Sequence, residues 1–333
     1  MTNQTTGLPL DVTVVVPTYN RRALLLDLVA SLRAQTLAPD RYEIVIISDG
    51  STDGTDEAFK EPWQQPVTRL VRQEKRGFGL AAARNLGARH GAGRLVLFID
   101  DDMVADRRLL EAHVGGHAAH PDDLVAICGK VVLSPDLPAT PFCQIVIGDT
   151  CRLYDDRVDE ARFIPPQRAL SWQTSFKRHA WLDVGGNDDT YRSYGWEDIE
   201  FACRAAERGM RFFYTPDAVS FHRDQRVTLE AHADRLLKSS RMAPRLFGRF
   251  PRLEHDLPMF ADKRPVDWRR DGTGLIGRKL ARRALATAPL LGLLVKMTPW
   301  VEALVSSSAV LRRWYYGVLG GYIVRGYREG LRE

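Results

Sequence analysis

Three consecutive carboxylates, Asp100, Asp101 and Asp102, follow an apolar run at residues 95–99. The run, LVLFI, is apolar enough to predict a buried strand. Buried strands seldom end in three negative charges unless a positive group offsets them, because uncompensated charge is costly to remove from water. Carboxylate oxygens suit Mg²⁺ or Mn²⁺, and proteins hold these ions with one or two carboxylates while substrate phosphates complete the shell. The triplet therefore predicts a divalent-cation site, with a solvated loop as the alternative.

A second pair of acids, Glu197 and Asp198, stands at the start of a helix predicted over residues 196–208. Carboxylates in a first helical turn are often only favourable partners of the helix dipole. Here Gly195 and Trp196 come directly before them and would place a bare backbone and an aromatic wall beside the acids. Such a combination suits a sugar-binding site, so both interpretations of the two acids stay open at this point.

A histidine, His222, follows a short strand predicted at residues 211–214. A neutral imidazole at that place can add a ligand to a metal already held by Asp102. The alternative is a lone surface histidine, and the residues themselves leave both interpretations open.

Residues 49–54 read DGSTDG and follow another predicted strand at residues 43–48. Glycine lets the backbone approach a ligand closely, and the Asp49 carboxylate can accept hydrogen bonds from a base or a ribose. An ordinary turn is the alternative. The position after a strand of an alternating sheet favours the ligand site.

A further glycine-rich stretch, GFGLAA at residues 77–82, resembles a dinucleotide-binding fingerprint. That fingerprint belongs to the first strand-to-helix turn, which PTYNRR occupies here, and its downstream acid is a lone residue rather than a triplet. The dinucleotide interpretation is therefore disfavoured. The helix that follows carries Arg84, which can offset phosphate charge or lie on a solvated face.

Strand and helix patterns alternate from residue 12 to about residue 133 and must position these side chains. Strands are predicted at residues 12–16 (ended by Pro17), 43–48, 67–72 and 95–99, and helices at residues 21–35 and 79–90. This alternation predicts an α/β fold with a mainly parallel sheet and helices on both faces. Ligands of such sheets lie beyond the carboxyl ends of the strands, so residues 17–21, 48–55 and 100–102 should meet in one crevice.

The remainder of the chain is less regular. Residues 134–168 are rich in Pro, Asp and Arg and predict a long loop or a set of short elements, followed by a strand at residues 169–176. After about residue 233 the composition changes to Arg, Leu, Pro and aromatic residues, which predicts a separate helical segment.

Charge is distributed unevenly over the 333 residues, whose net charge is +5. From Lys238 onward 19 basic and 8 acidic residues give 19 − 8 = +11, which leaves 5 − 11 = −6 for the preceding part. The basic end predicts an anionic partner, such as a membrane surface or a nucleic acid. The four cysteines show neither zinc-site nor disulfide spacing, so a reducing cytoplasm is the default expectation. No secretory signal and no transmembrane helix are predicted.

Taken in order, five motifs resemble the pattern of glycosyltransferase family 2 on the GT-A fold. They are VVVPTYNR, ISDGSTDGT, GLAAARNLG, FIDDD and GGNDDTYRSYGWEDIEF, and they span about residues 12–222, roughly two thirds of the chain. In that family, acids of the DxD type bind the metal and the diphosphate of a nucleotide sugar. The ED pair is similar to that of inverting galactosyltransferases and chondroitin-type polymerases, where the Asp is the base.

The resemblance assigns a role to each candidate residue. Asp198 is the expected general base with Glu197 in support, Asp102 and His222 are the expected metal ligands, and Gly195 and Trp196 bind the acceptor. The expected donor-binding residues are Pro17, Tyr19, Asn20, Arg21, Asp49, Ser51, Arg84, Asp100 and Asp101. Among these, Asp49 would hold the base and Asp100 the ribose. Residues 1–235 would form the GT-A domain, and residues 236–333 a basic, amphipathic helical region that the family pattern does not cover.

The implied reaction is metal-assisted, inverting transfer of a sugar from a nucleotide-diphosphate sugar to an acceptor hydroxyl. A UDP-sugar is the favoured donor, Mn²⁺ or Mg²⁺ the cofactor, and a carbohydrate, lipid-linked or natural-product molecule the acceptor. No nucleic acid is expected as a partner. The expected location is the cytoplasm, with contact to the cytoplasmic face of a membrane through the C-terminal region as an option.

Two other classes compete with this interpretation. A nucleotidyltransferase would need a glycine-rich, basic phosphate loop after the first strand, and PTYNRR lacks the glycines. A non-catalytic nucleotide-sugar-binding protein would need no general base, so a dispensable Asp198 would favour it.

Overall fold

The computed structural model describes residues 10–151, 159–223 and 227–333. Within these residues, ten strands form one mixed sheet with the order β3-β4-β2-β1-β5-β9-β7-β10-β6, and β8 pairs with β10. The strands are β1 (Val12–Thr18), β2 (Tyr42–Ser48), β3 (Trp63–Gln64), β4 (Val67–Arg72), β5 (Leu95–Ile99), β6 (Met103–Ala105), β7 (Val125–Leu133), β8 (Arg162–Ile164), β9 (Gln173–Lys177) and β10 (Arg211–His222).

Helices connect the strands and form the C-terminal part of the chain. The α-helices are α1 (Arg22–Arg33), α2 (Thr55–Ala58), α3 (Leu80–His90), α4 (Leu109–Ala119), α5 (Gly148–Cys151), α6 (Arg178–Asp183), α7 (Glu197–Glu207), α8 (Leu229–Arg249), α9 (Leu253–Asp256), α10 (Thr273–Leu285), α11 (Ala288–Leu304) and α12 (Ser308–Gly330). A π-helix spans Cys143–Ile147, and 3₁₀ turns span Pro166–Arg168 and Pro258–Phe260.

The parallel arrangement predicted for the first strands is confirmed: β4, β2, β1 and β5 are neighbours and all run the same way. The predicted end of the first strand at Pro17 is wrong, since β1 continues to Thr18. The ladder between β1 and β5 extends only from Val12 to Val15, so Pro17 lies outside it. A residue without an N–H group is tolerated at such a place.

The sheet departs from the parallel prediction at β9, which lies between β5 and β7 and runs antiparallel to both. The strand predicted at residues 211–214 is also longer than expected, because β10 continues to His222 across an irregularity between Tyr214 and Val219. Only the first part of β10 is a continuous apolar run. The extension matters because it carries His222 to the end of the strand.

A cluster of aromatic side chains fixes the start of α7 relative to the sheet. Trp181 on α6 lies 5.0 Å from Phe98 on β5 and 5.5 Å from Phe201 on α7, measured between ring centroids. Phe176 on β9 contacts both Phe98 and Phe201. All four rings are buried. Because β5 and α7 share this core, the distance between the acids that follow β5 and the acids that begin α7 is fixed by packing.

The chain divides into two compact units. The first contains the described parts of residues 1–136, 151–192 and 197–224, and includes the whole sheet. The second contains the described parts of residues 137–150, 193–196 and 225–333. Two short segments join the second unit through aromatic contacts, since Phe142 packs edge-on against Tyr315 and the ring of Trp196 lies 5.7 Å from that of Phe260. The predicted division between residues 235 and 236 stays a prediction.

Helices dominate the second unit, as predicted for the C-terminal region. Helices α8 and α12 approach closely where Gly326 faces the carbonyl of Leu237 and Gly330 faces that of Arg241, positions at which a side chain would collide with backbone. In the described part of the chain, no single helix has the length and apolarity needed to cross a membrane. Helices α10 and α11 meet that test only as a pair, bent by 85°.

Candidate active site

The acids after β5 are held by Thr18, the last residue of β1, and by Arg21, which directly precedes α1. Thr18 donates a hydrogen bond from Oγ1 to Asp101 Oδ2 over 2.7 Å. A single nitrogen of Arg21, NH1, lies 2.8 Å from Asp101 Oδ1 and 2.7 Å from Asp102 Oδ2. Both carboxylates are buried. The predicted meeting of the strand ends is therefore found for β1 and β5, and a cation bridges the two acids.

A second arginine connects the triplet to the pair at the start of α7. Arg84 on α3 is almost completely buried, with 2 % of its side chain exposed. Its NH2 group donates to Asp100 Oδ1 over 3.1 Å, and its NH1 group donates to Glu197 Oε1 over 3.3 Å. The guanidinium thus lies between acids that are about a hundred residues apart in the chain, and the site contains two cation-bridged clusters.

Burial and mutual repulsion change the acidity of these groups. Burial raises the pKa of Asp101 to about 7, with Asp102 adding to the effect and Arg21 opposing it. Burial and the neighbouring Asp198 likewise raise the pKa of Glu197 to about 7 against the opposing charge of Arg84. Clustered acids with raised pKa values are a frequent mark of functional sites.

The base candidate Asp198 lies at the start of α7 with a partly buried carboxylate. Its Oδ1 accepts a hydrogen bond from the backbone N–H of Ile199 over 2.8 Å. Burial raises the pKa of Asp198, while Arg84 lowers it. The preceding loop is anchored by Asn187, whose Nδ2 group donates to the carbonyl of Glu197 over 3.1 Å. A raised pKa brings a carboxylate closer to the range in which it can take up a proton near neutral pH.

The expected metal ligands, Asp102 and His222, lie next to each other. His222 Nε2 is 3.8 Å from Asp102 Oδ2, because β10 carries the histidine to the strand end near the triplet. Asp102 Oδ1 and His222 Nδ1 are buried and have no hydrogen-bond partner among the described residues. Two protein ligands with open positions fit the way Mg²⁺ or Mn²⁺ is held together with substrate phosphates. Among all residues that the structure describes, no group of three His, Cys, Asp or Glu side chains is placed to hold a metal ion by itself.

The predicted donor residues after β2 form a network of their own. Asp49 Oδ1 accepts a hydrogen bond from Gln73 Nε2 over 2.7 Å, and its Oδ2 pairs with Lys75 and accepts from the backbone N–H of Gly79 over 3.1 Å. The Lys75 ammonium also lies 3.8 Å from the centre of the exposed Tyr19 ring. The exposed Tyr19 ring can stack on the face of a nucleotide base, and the buried Asp49 carboxylate can accept hydrogen bonds from the edge of that base.

The loop after β1 is tied to the loop after β2. Asn20 has a positive φ of 52° and donates from its backbone N–H to Ser51 Oγ over 3.1 Å, while its side chain accepts from the backbone N–H of Thr52 over 2.7 Å. Pro17 lies one residue before Thr18 at the end of β1. Asparagine tolerates a left-handed conformation better than most residues, which suits this tight turn.

The acceptor candidates, Gly195 and Trp196, belong to the second compact unit. Both have positive φ values, 100° and 78°, and the Trp196 indole is buried and donates to the carbonyl of Ser239 over 2.5 Å. A positive φ is unusual for a bulky residue and marks a constrained turn. The chain returns to the first unit at Glu197, directly after this turn.

Thr18 lies within the predicted crevice segment 17–21, but its hydrogen bond to Asp101 was not predicted. Three further residues of these networks lie outside the predicted crevice segments: Gln73, Lys75 and Asn187. The segment containing Gln73 and Lys75 directly follows β4, so the rule that ligands lie beyond the ends of parallel strands would have found it. Asn187 carries no local signal, since its role depends on the fold of the preceding loop.

The chain is similar in sequence to known glycosyltransferases. Residues 13–138 match the family described as Glycosyl transferase family 2. Validoxylamine A glucosyltransferase of Streptomyces hygroscopicus subsp. limoneus is 27 % identical over 263 residues, which cover 71 % of this chain and 56 % of that protein. Chondroitin synthase of Escherichia coli is 26 % identical over 238 residues, covering 63 % of this chain and 34 % of the relative.

A solved structure resembles nearly the whole chain. It is a mannosyltransferase from Pyrobaculum calidifontis in complex with GDP-Man and Mn²⁺, with a TM-score of 0.62 and 22 % identity, covering 98 % of this chain and 90 % of that one. The chain therefore has the GT-A fold, and its residues 13–138 match glycosyltransferase family 2. It spans little more than half the length of the validoxylamine A relative that it matches.

Proposed function

We propose that the protein transfers a sugar from a nucleotide-diphosphate donor, with a UDP-sugar favoured, to an acceptor hydroxyl by a single inverting displacement. The observation that carries this proposal is the bridging of the acid triplet and the ED pair by the buried Arg84. A donor-binding set of acids and a candidate base are thereby held together at one end of the sheet. Neither a nucleotidyltransferase nor a passive nucleotide-sugar-binding protein would require that connection.

The donor is held by residues that follow the parallel strands. Asp49 and Tyr19 contact the base, Asp100 contacts the ribose, and Arg21 contacts the diphosphate. Mn²⁺ or Mg²⁺, held by Asp102 and His222, would neutralise the charge that develops on the leaving diphosphate. The Arg21 nitrogen between Asp101 and Asp102 supports this assignment, because it shows that these acids already attract a cation.

Bond making and bond breaking occur in one step. Asp198 takes the proton of the acceptor hydroxyl while the hydroxyl oxygen forms a bond to the anomeric carbon. The bond between that carbon and the diphosphate oxygen breaks on the opposite side, and the diphosphate leaves with the electron pair. General-base assistance of this kind contributes about 10² to 10⁴ in rate. Glu197 positions the acceptor beside Asp198.

The acceptor is a carbohydrate, a lipid-linked sugar or a natural product that offers a hydroxyl. The relatives support such a range, since one is named as a glucosyltransferase of validoxylamine A and another as a chondroitin synthase. We place the protein in the cytoplasm, with contact to the cytoplasmic face of a membrane through the C-terminal region as an option.

Thermal unfolding with UDP, GDP and dTDP, each with and without Mn²⁺, tests the donor site. A nucleotide held only by the native state at 100 times its Kd raises the free energy of unfolding by about 2.7 kcal/mol. We expect the largest increase in Tm with UDP and Mn²⁺ together. Release of UDP from UDP-sugars in the presence of candidate acceptors then identifies the sugar.

Two variants with matched controls locate the metal. Asp102→Asn and His222→Gln should abolish the Mn²⁺-dependent part of the Tm increase and leave the unliganded fold intact. Asp123→Asn and His179→Gln make the same chemical changes at exposed positions and should keep the full increase. An unchanged Mn²⁺ effect in both site variants would remove Asp102 and His222 from the metal site.

A further inference from the structure

Helix α11 presents a row of large apolar side chains to solvent. Leu293, Met297, Trp300 and Leu304 are 52 %, 42 %, 73 % and 83 % exposed. Their spacing of four, three and four residues places them on one face of the helix. We call these four residues the α11 apolar face.

The packing of α11 against its neighbours does not account for this face. The helix already has a buried side, where Leu291 approaches Gly321 of α12 and Thr298 accepts a hydrogen bond from Trp314 Nε1 over 3.0 Å. Both Leu291 and Thr298 are at most 5 % exposed. A surface helix normally has one apolar side, turned to the core, and a polar side turned to water. The second apolar side of α11 therefore indicates a contact outside the chain.

In the sequence, basic residues lie on both sides of the α11 apolar face. Between residues 273 and 313, seven residues are basic and one, Glu302, is acidic. Three of the seven are neutralised within the second unit, by pairing of Lys279 with Asp271, Arg282 with Asp262 and Arg312 with Asp149. The other four are exposed and have no acidic partner among the described residues; they are Arg278, Arg283, Lys296 and Arg313.

We propose that α10, α11 and the start of α12 bind the surface of an anionic lipid bilayer. The α11 apolar face enters the boundary between headgroups and acyl chains, and the four unpaired cations contact lipid phosphates and carboxylates. Apolar residues with a tryptophan on one side and Lys and Arg around them are the composition of helices that lie in this interface. The unpaired cations contribute because anionic leaflets attract basic segments near the surface.

A second copy of the chain is the less suitable occupant. In a symmetric dimer the same surface of both copies meets, so the four cations of one copy would face the four cations of the other. Like charges brought together in this way disfavour association. An anionic lipid surface complements both the apolar face and the charge. The proposal is independent of the reaction assigned to the first unit.

Flotation of the full-length protein with lipid vesicles tests the proposal. At low salt we expect the protein to float with vesicles of phosphatidylcholine and phosphatidylserine, and to remain at the bottom with phosphatidylcholine alone. High salt should release it, because screening weakens the attraction between the cations and the lipid. A protein that stays at the bottom with anionic vesicles at low salt would overturn the proposal.

Variants assign the binding to α11. Trp300→Ser combined with Leu304→Ser should abolish flotation, and removal of each cation, as in Lys296→Gln or Arg283→Gln, should weaken binding about fivefold. Trp268→Ser is the matched control, since Trp268 is equally exposed at 71 % but lies outside the three helices. The Tm increase with UDP and Mn²⁺ should stay the same in all these variants. Loss of flotation in the Trp268 variant alone, or a dimer in solution that Trp300→Ser dissociates, would contradict the proposal.

Discussion

The carboxylates after β5 and those at the start of α7 are each held by an arginine, but the two arginines differ in their access to solvent. Arg21, which bridges Asp101 and Asp102, lies just before α1 and has 19 % of its side chain exposed. Arg84, which bridges Asp100 and Glu197, lies within α3 and is 2 % exposed. The first cation is reachable from solvent, as exchange with a ligand at the proposed donor site requires. The second is enclosed, and of its two partners Glu197 is buried whereas 32 % of the Asp100 side chain is exposed.

This difference fits the two tasks that we propose for the clusters. A donor site must accept and release a nucleotide and a metal, and a partly exposed Arg21 allows the acids to exchange partners. A base must keep its position relative to the donor, and a buried Arg84 provides that, because buried charges are costly to separate from their partners. The comparison predicts that changes at α7 affect the chemical step and that changes at Arg84 affect the fold.

The largest effect is expected for the base. Asp198→Asn keeps the shape and the hydrogen bonding of the side chain but removes its affinity for a proton. Sugar transfer should fall by about 10² to 10⁴, while donor binding survives. The measurements are kcat for release of UDP in the presence of acceptor and the Tm increase with UDP and Mn²⁺.

The adjacent acid supplies the control for the base. Glu197→Gln makes the same kind of change one residue away and should weaken acceptor binding more than it slows the chemical step. If Asp198→Asn transfers sugar at the parental rate, the base lies elsewhere, and Asp188 and Asp189 would be the next candidates.

Removal of the buried arginine should destabilise the first unit. Arg84→Met leaves the carboxylates of Asp100 and Glu197 without their partner and should lower the free energy of unfolding by about 3–5 kcal/mol. Urea unfolding at neutral pH measures the change.

The exposed pair of Arg76 and Glu74 provides the contrast, since 68 % and 75 % of these side chains are exposed. Arg76→Met should cost less than about 1 kcal/mol. Equal stability of the Arg84 and Arg76 variants would show that the two clusters are not joined through the core.

Much of the fold could be predicted because its elements have local signals. The strands at residues 67–72 and 95–99 and the helix ending at residue 90 were predicted with little error, since runs of apolar residues and helical spacing mark them. A strand was predicted near β9, but its antiparallel direction was not, because strand direction depends on neighbours that are distant in the chain. Its partner residues in β5 precede it by about 80 positions.

The candidate site shows the same limit. The rule that ligands lie beyond the carboxyl ends of parallel strands located Asp49 and the triplet. The role of Arg84 could not be predicted, since the helix pattern was equally consistent with a side chain in solvent and with a side chain that contacts phosphate. Its pairing with Glu197 joins residues 113 positions apart and follows only from the packing of α3 and α7 on one sheet.

The smallest effect concerns the proton on Glu197. Burial and the neighbouring Asp198 raise the pKa of Glu197 to about 7 in the folded chain, from 4.5 as the ordinary value. Between pH 4.5 and pH 7 the folded protein therefore binds a proton that the unfolded chain has lost. The free energy of unfolding contributed by this group is fully present below pH 4.5 and falls as the pH rises through 7.

Comparison with Glu197→Gln isolates this contribution, because glutamine does not titrate. The stability of the parental protein relative to the Gln variant should decrease between pH 4.5 and pH 7 by at most roughly 3 kcal/mol, at about 1.4 kcal/mol per pH unit. Urea unfolding over this pH range measures the difference. Glu74→Gln, at an exposed site, should show a difference that does not change in the same range. A pH-independent difference for Glu197→Gln would mean that the charge of Arg84 keeps the pKa of Glu197 from rising, so that Glu197 stays ionised throughout this range.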